Sequence, residues 1–143
     1  MTVVSLESYK EQKEHTLERQ VIGMLTYEEV AERASRYMAS SLPGFTFRAS
    51  FLEEFCIDIG VESYVIGAKM GSGHAIDTCE IKAFSEAFPT LAYLIIELQM
   101  LIISWVDPKR LRPAILRHGT QKYVEDWWMV GYRLGQKRNR MKL

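Results

Sequence analysis

Glu54, Asp58 and Glu62 stand four residues apart, and on a helix that spacing lines three carboxylates along one side. Carboxylates in such a line help build acid–base or di-iron sites in helical bundles, provided Glu-x-x-His pairs on two other helices complete the ligand set. The sequence holds no Glu-x-x-His pair. Its three histidines, His15, His74 and His118, lie far apart, and none is three or four residues from another histidine or a cysteine. No local pair of metal ligands exists, so neither a metal nor a cofactor is expected. Gly71-Ser72-Gly73-His74 has the composition of a phosphate-binding turn, but it follows a helical pattern and lacks the lysine–serine pair of a P-loop. It reads better as a helix terminator. Charged residues along the outer side of an amphipathic helix are ordinary, which leaves an enzyme built on Glu54, Asp58 and Glu62 as the weakest of three functional readings.

The third set lies near the C-terminus. Trp127, Trp128, Tyr132, Arg133, Lys137, Arg138 and Arg140 combine aromatic rings with cations, the mixture used to stack bases and hold phosphates of single strands. Trp127, Arg133, Lys137, Arg138 and Arg140 are the candidate binding residues. The competing reading is structural: the aromatics fall on the expected core stripe, and cations gather at helix C-termini because the dipole favours them. Gly131 and Gly135, four apart, would also let a second helix approach closely.

The elements that must position these residues are helical. Thr26 and Glu29 form a capping box, with Leu25 and Val30 at the spacing of a hydrophobic staple. Val30, Ala31, Ala34, Tyr37, Met38 and Leu42 then recur on one face until Pro43-Gly44. Ser50 and Glu53 make a second box. It opens a helix whose buried stripe is Phe51, Leu52, Phe55, Cys56, Ile59 and Ile66, with Glu53, Glu54, Asp58 and Glu62 mostly outside it. Asp77 and Glu80 make a third box, stapled by Ile76 and Ile81; that helix reaches Phe88, where Pro89 breaks or restarts it. Leu91 to Val106 is the most apolar segment; its sixteen residues reach roughly 24 Å, short of the ~30 Å hydrocarbon core, and predict a central buried helix. Asp107-Pro108 opens a short turn before a new start at Pro113. His118-Gly119 predicts a C-cap and Thr120 the opening of the last helix, on which Val124, Trp127, Trp128, Gly131 and Leu134 keep the helical period. Only Phe45-Thr46-Phe47 hints at a strand.

Composition sets the class. With 143 residues, 48% hydrophobic and 25% charged, the chain suits one globular domain. Its formal net charge is zero, which argues against a chain devoted throughout to nucleic acid or anionic lipid. Residues 1–75 nevertheless carry 7 basic and 11 acidic groups and residues 76–143 the reverse, and the last seventeen residues hold five basic groups and no acid. The N-terminus turns charged at once, without a secretory signal, and Cys56 and Cys79 are too few for a disulfide framework. Both cysteines read as small buried thiols. A cytoplasmic protein without a membrane segment is expected.

The stretches FLEEFCIDIGVESYVIGAKMGSGH (51–74) and VEDWWMVGYRLGQKR (124–138) resemble those of the uncharacterised YbaK-like proteins of Bacillus-type bacteria. The resemblance covers 39 of the 143 residues, mainly glycine, tryptophan and apolar positions. It implies a small cytoplasmic protein and transfers no catalytic residue.

The chain is thus expected to be all-α, a single compact bundle of about five to six helices with a central apolar helix. Residues 1–24 would form a peripheral helix, and the basic end, 137–143, would fray or project. A non-enzymatic domain that binds a protein partner or a second copy of itself is the leading functional reading. A nucleic-acid-binding regulator using the C-terminal helix is the alternative.

Overall fold

The computed structural model describes residues 6–42, 47, 50–73 and 79–141, and among them every regular element is helical. Five α-helices follow in order: α1 (Leu6–Ile22), α2 (Tyr27–Met38), α3 (Phe51–Gly73), α4 (Glu80–Trp105) and α5 (Pro113–Met141). Short 3-10 turns, Ala39–Ser41 and Pro108–Arg110, follow α2 and α4. The all-α bundle expected from periodicity is the fold.

Its axis is the pair α3 and α5, which run side by side in the same direction. Cys56 of α3 meets Tyr123 of α5, Ser63 meets Val124, and Gly71 meets Gln136, so both helices advance together. What brings them close is the absence of side chains. A Cβ on Gly67 would sit 2.8 Å from the Tyr132 backbone nitrogen, and one on Gly71 2.9 Å from that of Gln136. Reciprocally, Gly131 faces the Ala68 nitrogen at 3.0 Å and Gly135 the Ser72 nitrogen at 2.8 Å. Glycine pairs four apart on both partners let the backbones touch, the small-residue packing that needs no interlocking side chains. Three side chains then bond across the seam to helical carbonyls: Ser63 Oγ to Val124 at 2.6 Å, Tyr123 Oη to Cys56 at 2.5 Å and Gln136 Nε2 to Gly71 at 2.7 Å.

Around this pair the other helices add apolar faces. Ala31, Ala34 and Met38 of α2 are fully buried, and Trp127 and Trp128 fill the space beside the seam. Trp128 stacks on Tyr132 with ring centroids 4.9 Å apart and meets Phe84 of α4 edge-on at 5.5 Å. α4 runs opposite to α5, tied by Gln99 Nε2 donating to Thr120 Oγ1 at 2.8 Å and by Arg133 reaching Glu80 at the other end. Among the described side chains of α1 only Val21 is fully buried. Its carbonyl accepts from Tyr64 Oη at 2.8 Å.

The start signals at Thr26 and Ser50 hold. Thr26 Oγ1 accepts from the Glu29 amide at 3.2 Å, and its own proton goes to Glu29 Oε1 rather than the glutamate reaching back to the backbone. Ser50 Oγ accepts from the Glu53 amide at 3.2 Å. Asp107 caps the second 3-10 turn through the Lys109 amide, 3.1 Å away. Asp77, Ile76, Pro43-Gly44 and most of Phe45-Thr46-Phe47 lie outside the described residues, while α4 itself begins at Glu80 with Cys79 in the cap position.

Four local expectations fail. Pro89 does not interrupt α4, which is continuous from Glu80 to Trp105; Pro89 and Ser85 are both exposed, so water can take the carbonyl that proline leaves without a donor. His118-Gly119 does not end a helix, because α5 begins at Pro113 and runs through both. Gly119 is buried where the Tyr37 carbonyl oxygen would lie 2.6 Å from any Cβ, and Thr120 Oγ1 donates back to Leu116 at 2.8 Å. Phe51, expected on the buried stripe, stands more than half exposed at the first turn of α3, where Trp105 covers its ring from one side only; Ile81 is exposed, and its staple partner Ile76 lies outside the described residues. Glu53, expected outside, is buried, with Tyr27 Oη donating to its Oε1 at 3.3 Å.

Candidate functional site

Glu54, Asp58 and Glu62 lie along α3 as expected, and all three are exposed. No group of three His, Cys, Asp or Glu side chains within metal-holding distance exists among the described residues. His74 lies outside those residues; His15 and His118 are exposed on different helices, α1 and α5. In Gly71-Ser72-Gly73 the first glycine is buried in the α3–α5 seam, and only Gly73, the last residue of α3, has open space around it. The segment's glycines therefore serve packing first and termination second.

The two cysteines part ways. Cys56 is buried against the seam, and burial, with Glu53 nearby, pushes its thiol up to about 12. It is protonated and unreactive at neutral pH. Cys79, expected to be buried, is exposed at the start of α4. The apolar run that suggested otherwise begins only beyond it.

The C-terminal candidates sit on one helix but face different ways. Trp127 is buried, lies edge-on to Tyr64 at 6.0 Å, and carries the Arg33 guanidinium 4.2 Å above its ring. That face is occupied by a cation from α2, and no base can reach it. Arg133 is exposed and pairs with Glu80 through Nε at 3.1 Å and through its terminal nitrogen at 3.4 Å. Arg138 turns toward α1 and donates to the Gln20 side-chain oxygen. Lys137 and Arg140 are exposed on the last turns of α5, which stays helical to Met141 rather than fraying after Lys137.

A polar knot joins α2 to α5. Tyr37 Oη donates to Asp126 Oδ2, and the Tyr37 ring meets Tyr123 edge-on at 6.1 Å. Burial and the Asp126 carboxylate hold the Tyr37 hydroxyl above its ordinary value, and burial does so more strongly at Tyr123. Both phenols stay neutral at physiological pH, so the knot positions helices and supplies no nucleophile.

The surface that the packing leaves unused is on α4. Its inward face, Ala83, Ala87, Leu91, Leu94, Leu98 and Ile102, is buried. Its outward face carries Tyr93, Ile96, Met100 and Ile103, each at least half exposed. The spacing of three, four and three residues puts them in one stripe. On the opposite side of the helix, past the end of the buried face, Trp105 pairs with Phe51 of α3, ring centroids 5.2 Å apart, and both rings are more than half exposed. The segment expected to be buried throughout is therefore buried on one side only. A helix apolar all round announces contact on both sides, and that signal was present in Leu91–Val106 itself. α4 is also the one helix among the described residues long and apolar enough to cross a membrane by length and composition.

Comparison with known proteins places the whole chain. The family described as Protein of unknown function (DUF2521) matches residues 1–143, and the chain belongs to that family. The uncharacterised protein YbaK of Bacillus subtilis (strain 168) is 19% identical over 143 residues, which cover 99% of this chain and 97% of the relative. The resemblance read from residues 51–74 and 124–138 thus extends across the segment between them. No solved structure matches the chain.

Proposed function

We propose that this family member is a non-enzymatic protein-interaction domain whose working surface is the outward stripe of α4, Tyr93, Ile96, Met100 and Ile103. The exposure of those side chains carries the reading. Soluble monomers rarely leave contiguous apolar patches beyond a few hundred Å² uncovered, and larger ones mark sites of association. The stripe exposes four large side chains to between 50% and 74% of their surface. At about 200 Å² for each side chain this amounts to roughly 480 Å². Among the described residues the carboxylates of α3 have no histidine beside them, and burial keeps the Tyr37 and Tyr123 hydroxyls neutral, so neither set favours an enzymatic reading.

A nucleic-acid role would rest on Lys137 and Arg140 as phosphate contacts, with Arg138 turned to Gln20 and Trp127 unable to stack. That is too few cations for appreciable affinity at physiological salt. The reading takes the protein as cytoplasmic, where two free thiols would remain reduced.

Photo-crosslinking tests the proposal. Tyr93→benzoylphenylalanine in the full chain should capture polypeptide in living cells, and the same replacement at exposed Lys122 on α5 should capture none. Capture at neither position, or equally at both, would overturn the assignment of this surface.

A further inference from the structure

We infer that the occupant of the α4 stripe is a second copy of this chain, paired through the same stripe about a twofold axis; the inference rests on the interaction reading above. Three observations select this partner. The first is area: roughly 480 Å² from the four stripe side chains, extended along the same line by exposed Pro89, approaches the ~600 Å² at the lower end of what each partner contributes to a standard stable interface.

The second is chemistry. Glu97, at the rim, is the only charged residue between Glu86 and Asp107. A surface so poor in charge has no pattern with which to select a foreign protein, since charge placement supplies most discrimination between partners. Homodimer interfaces are by contrast more apolar than transient ones. The net charge of zero also leaves no long-range repulsion between two copies.

The third is spacing. Tyr93, Ile96, Met100 and Ile103 occupy the a and d positions of a heptad, along which two helices pack knobs into holes. The intervals three, four, three read the same from either end, so the stripe can lie on its own copy with every large side chain opposed. A patch that complements itself closes as a twofold dimer, the commonest symmetric assembly.

A bilayer fits less well. The inward face of α4 is already held by Leu91, Leu98 and Ile102 in the core, so spanning a membrane would require unpacking it. Lying on an anionic surface would bring Glu86, Glu97 and Asp107 against like charge.

Sedimentation velocity of the full chain between about 1 and 100 µM is the test, with circular dichroism to verify folding. Wild type should sediment as a dimer through most of that range. Ile96→Lys and, independently, Met100→Glu should be monomers with unchanged helical spectra, because neither side chain belongs to the core. Wild type that stays monomeric at every concentration, or a dimer that survives both variants, would overturn the inference. Position-93 capture of a different polypeptide by a monomeric wild type would overturn the second copy while sparing the interaction surface. Flotation of monomeric protein with phosphatidylglycerol–phosphatidylethanolamine vesicles, with no capture at position 93, would overturn both.

Discussion

Gly67, Gly71, Gly131 and Gly135 act through what they lack. Each faces backbone of the opposite helix, and backbone cannot swing aside as a side-chain tip can. Gly131→Ala should therefore push α5 away from Tyr64 and Ala68 and cost about 2 kcal/mol or more in chemical denaturation. Gly73 meets nothing within 4 Å and its backbone is in an ordinary conformation, so Gly73→Ala should change stability by less than about 1 kcal/mol, in the stabilising direction. Equal effects from the two substitutions would contradict the seam. Cys56 supplies a pH dependence. Its folded thiol is pushed up to about 12, while a thiol in the unfolded chain ionises near about 8.5. Above that pH the unfolded chain releases a proton that the folded protein keeps, so stability falls as pH rises toward 12. Tyr123 acts in the same direction. Denaturation midpoints should drop between about pH 9 and 11, and Cys56→Ala should make that drop shallower at the cost of lower stability throughout. In labelling with a thiol reagent, Cys79 should react at once and Cys56 only on unfolding.

At the level of helices, Thr26 and Pro89 make opposite predictions. Thr26→Ala removes the acceptor for the Glu29 amide and should cost about 1 kcal/mol. Pro89→Ala restores a donor inside an otherwise continuous α4 and should raise stability by about 1–3 kcal/mol, read as a higher denaturation midpoint. These two residues also show what the sequence could reveal. A cap is a local contract between neighbours three residues apart, and Thr26 and Ser50 were legible for that reason. Pro89 and Gly119 carry local stop signals that tertiary packing overrides: α4 and α5 are held along their length by Leu91, Leu98, Trp128 and Tyr132, and Gly119 answers to Tyr37, which is 82 positions away in the chain. Trp127 misled for a related reason. Aromatic and basic residues on one helix look alike whether they stack on bases or on Arg33, and only the placement of α2 distinguishes the two.

For the whole molecule, the close α3–α5 seam has a consequence for the surface. Two helices touching through glycine leave their large rings, Trp127, Trp128, Tyr123 and Tyr132, to pack against α2 and α4, and that core is complete with one face of α4 alone. The second face was hidden in the sequence, because an apolar residue facing a partner is indistinguishable from one facing the core until the core is seen to close without it. Substitutions on the outward stripe should accordingly leave the isolated fold intact. The basic end of α5 offers a contrasting expectation: Lys137→Ala with Arg140→Ala should leave both the fold and the association unchanged by sedimentation, since both are exposed on α5 past the Arg133–Glu80 pair at the start of α4, far from the stripe.

Thermal unfolding of wild type and Ile96→Lys, each at two concentrations a hundredfold apart, tests the central claim that the outward face of α4 binds another copy and contributes nothing to the protein's own core. Binding to the folded state alone raises the melting temperature by mass action. Wild type should melt several degrees higher at the greater concentration. Ile96→Lys should melt at one temperature at both, matching dilute wild type. A wild-type melting temperature that ignores concentration, or an Ile96→Lys variant already destabilised when dilute, would contradict the account.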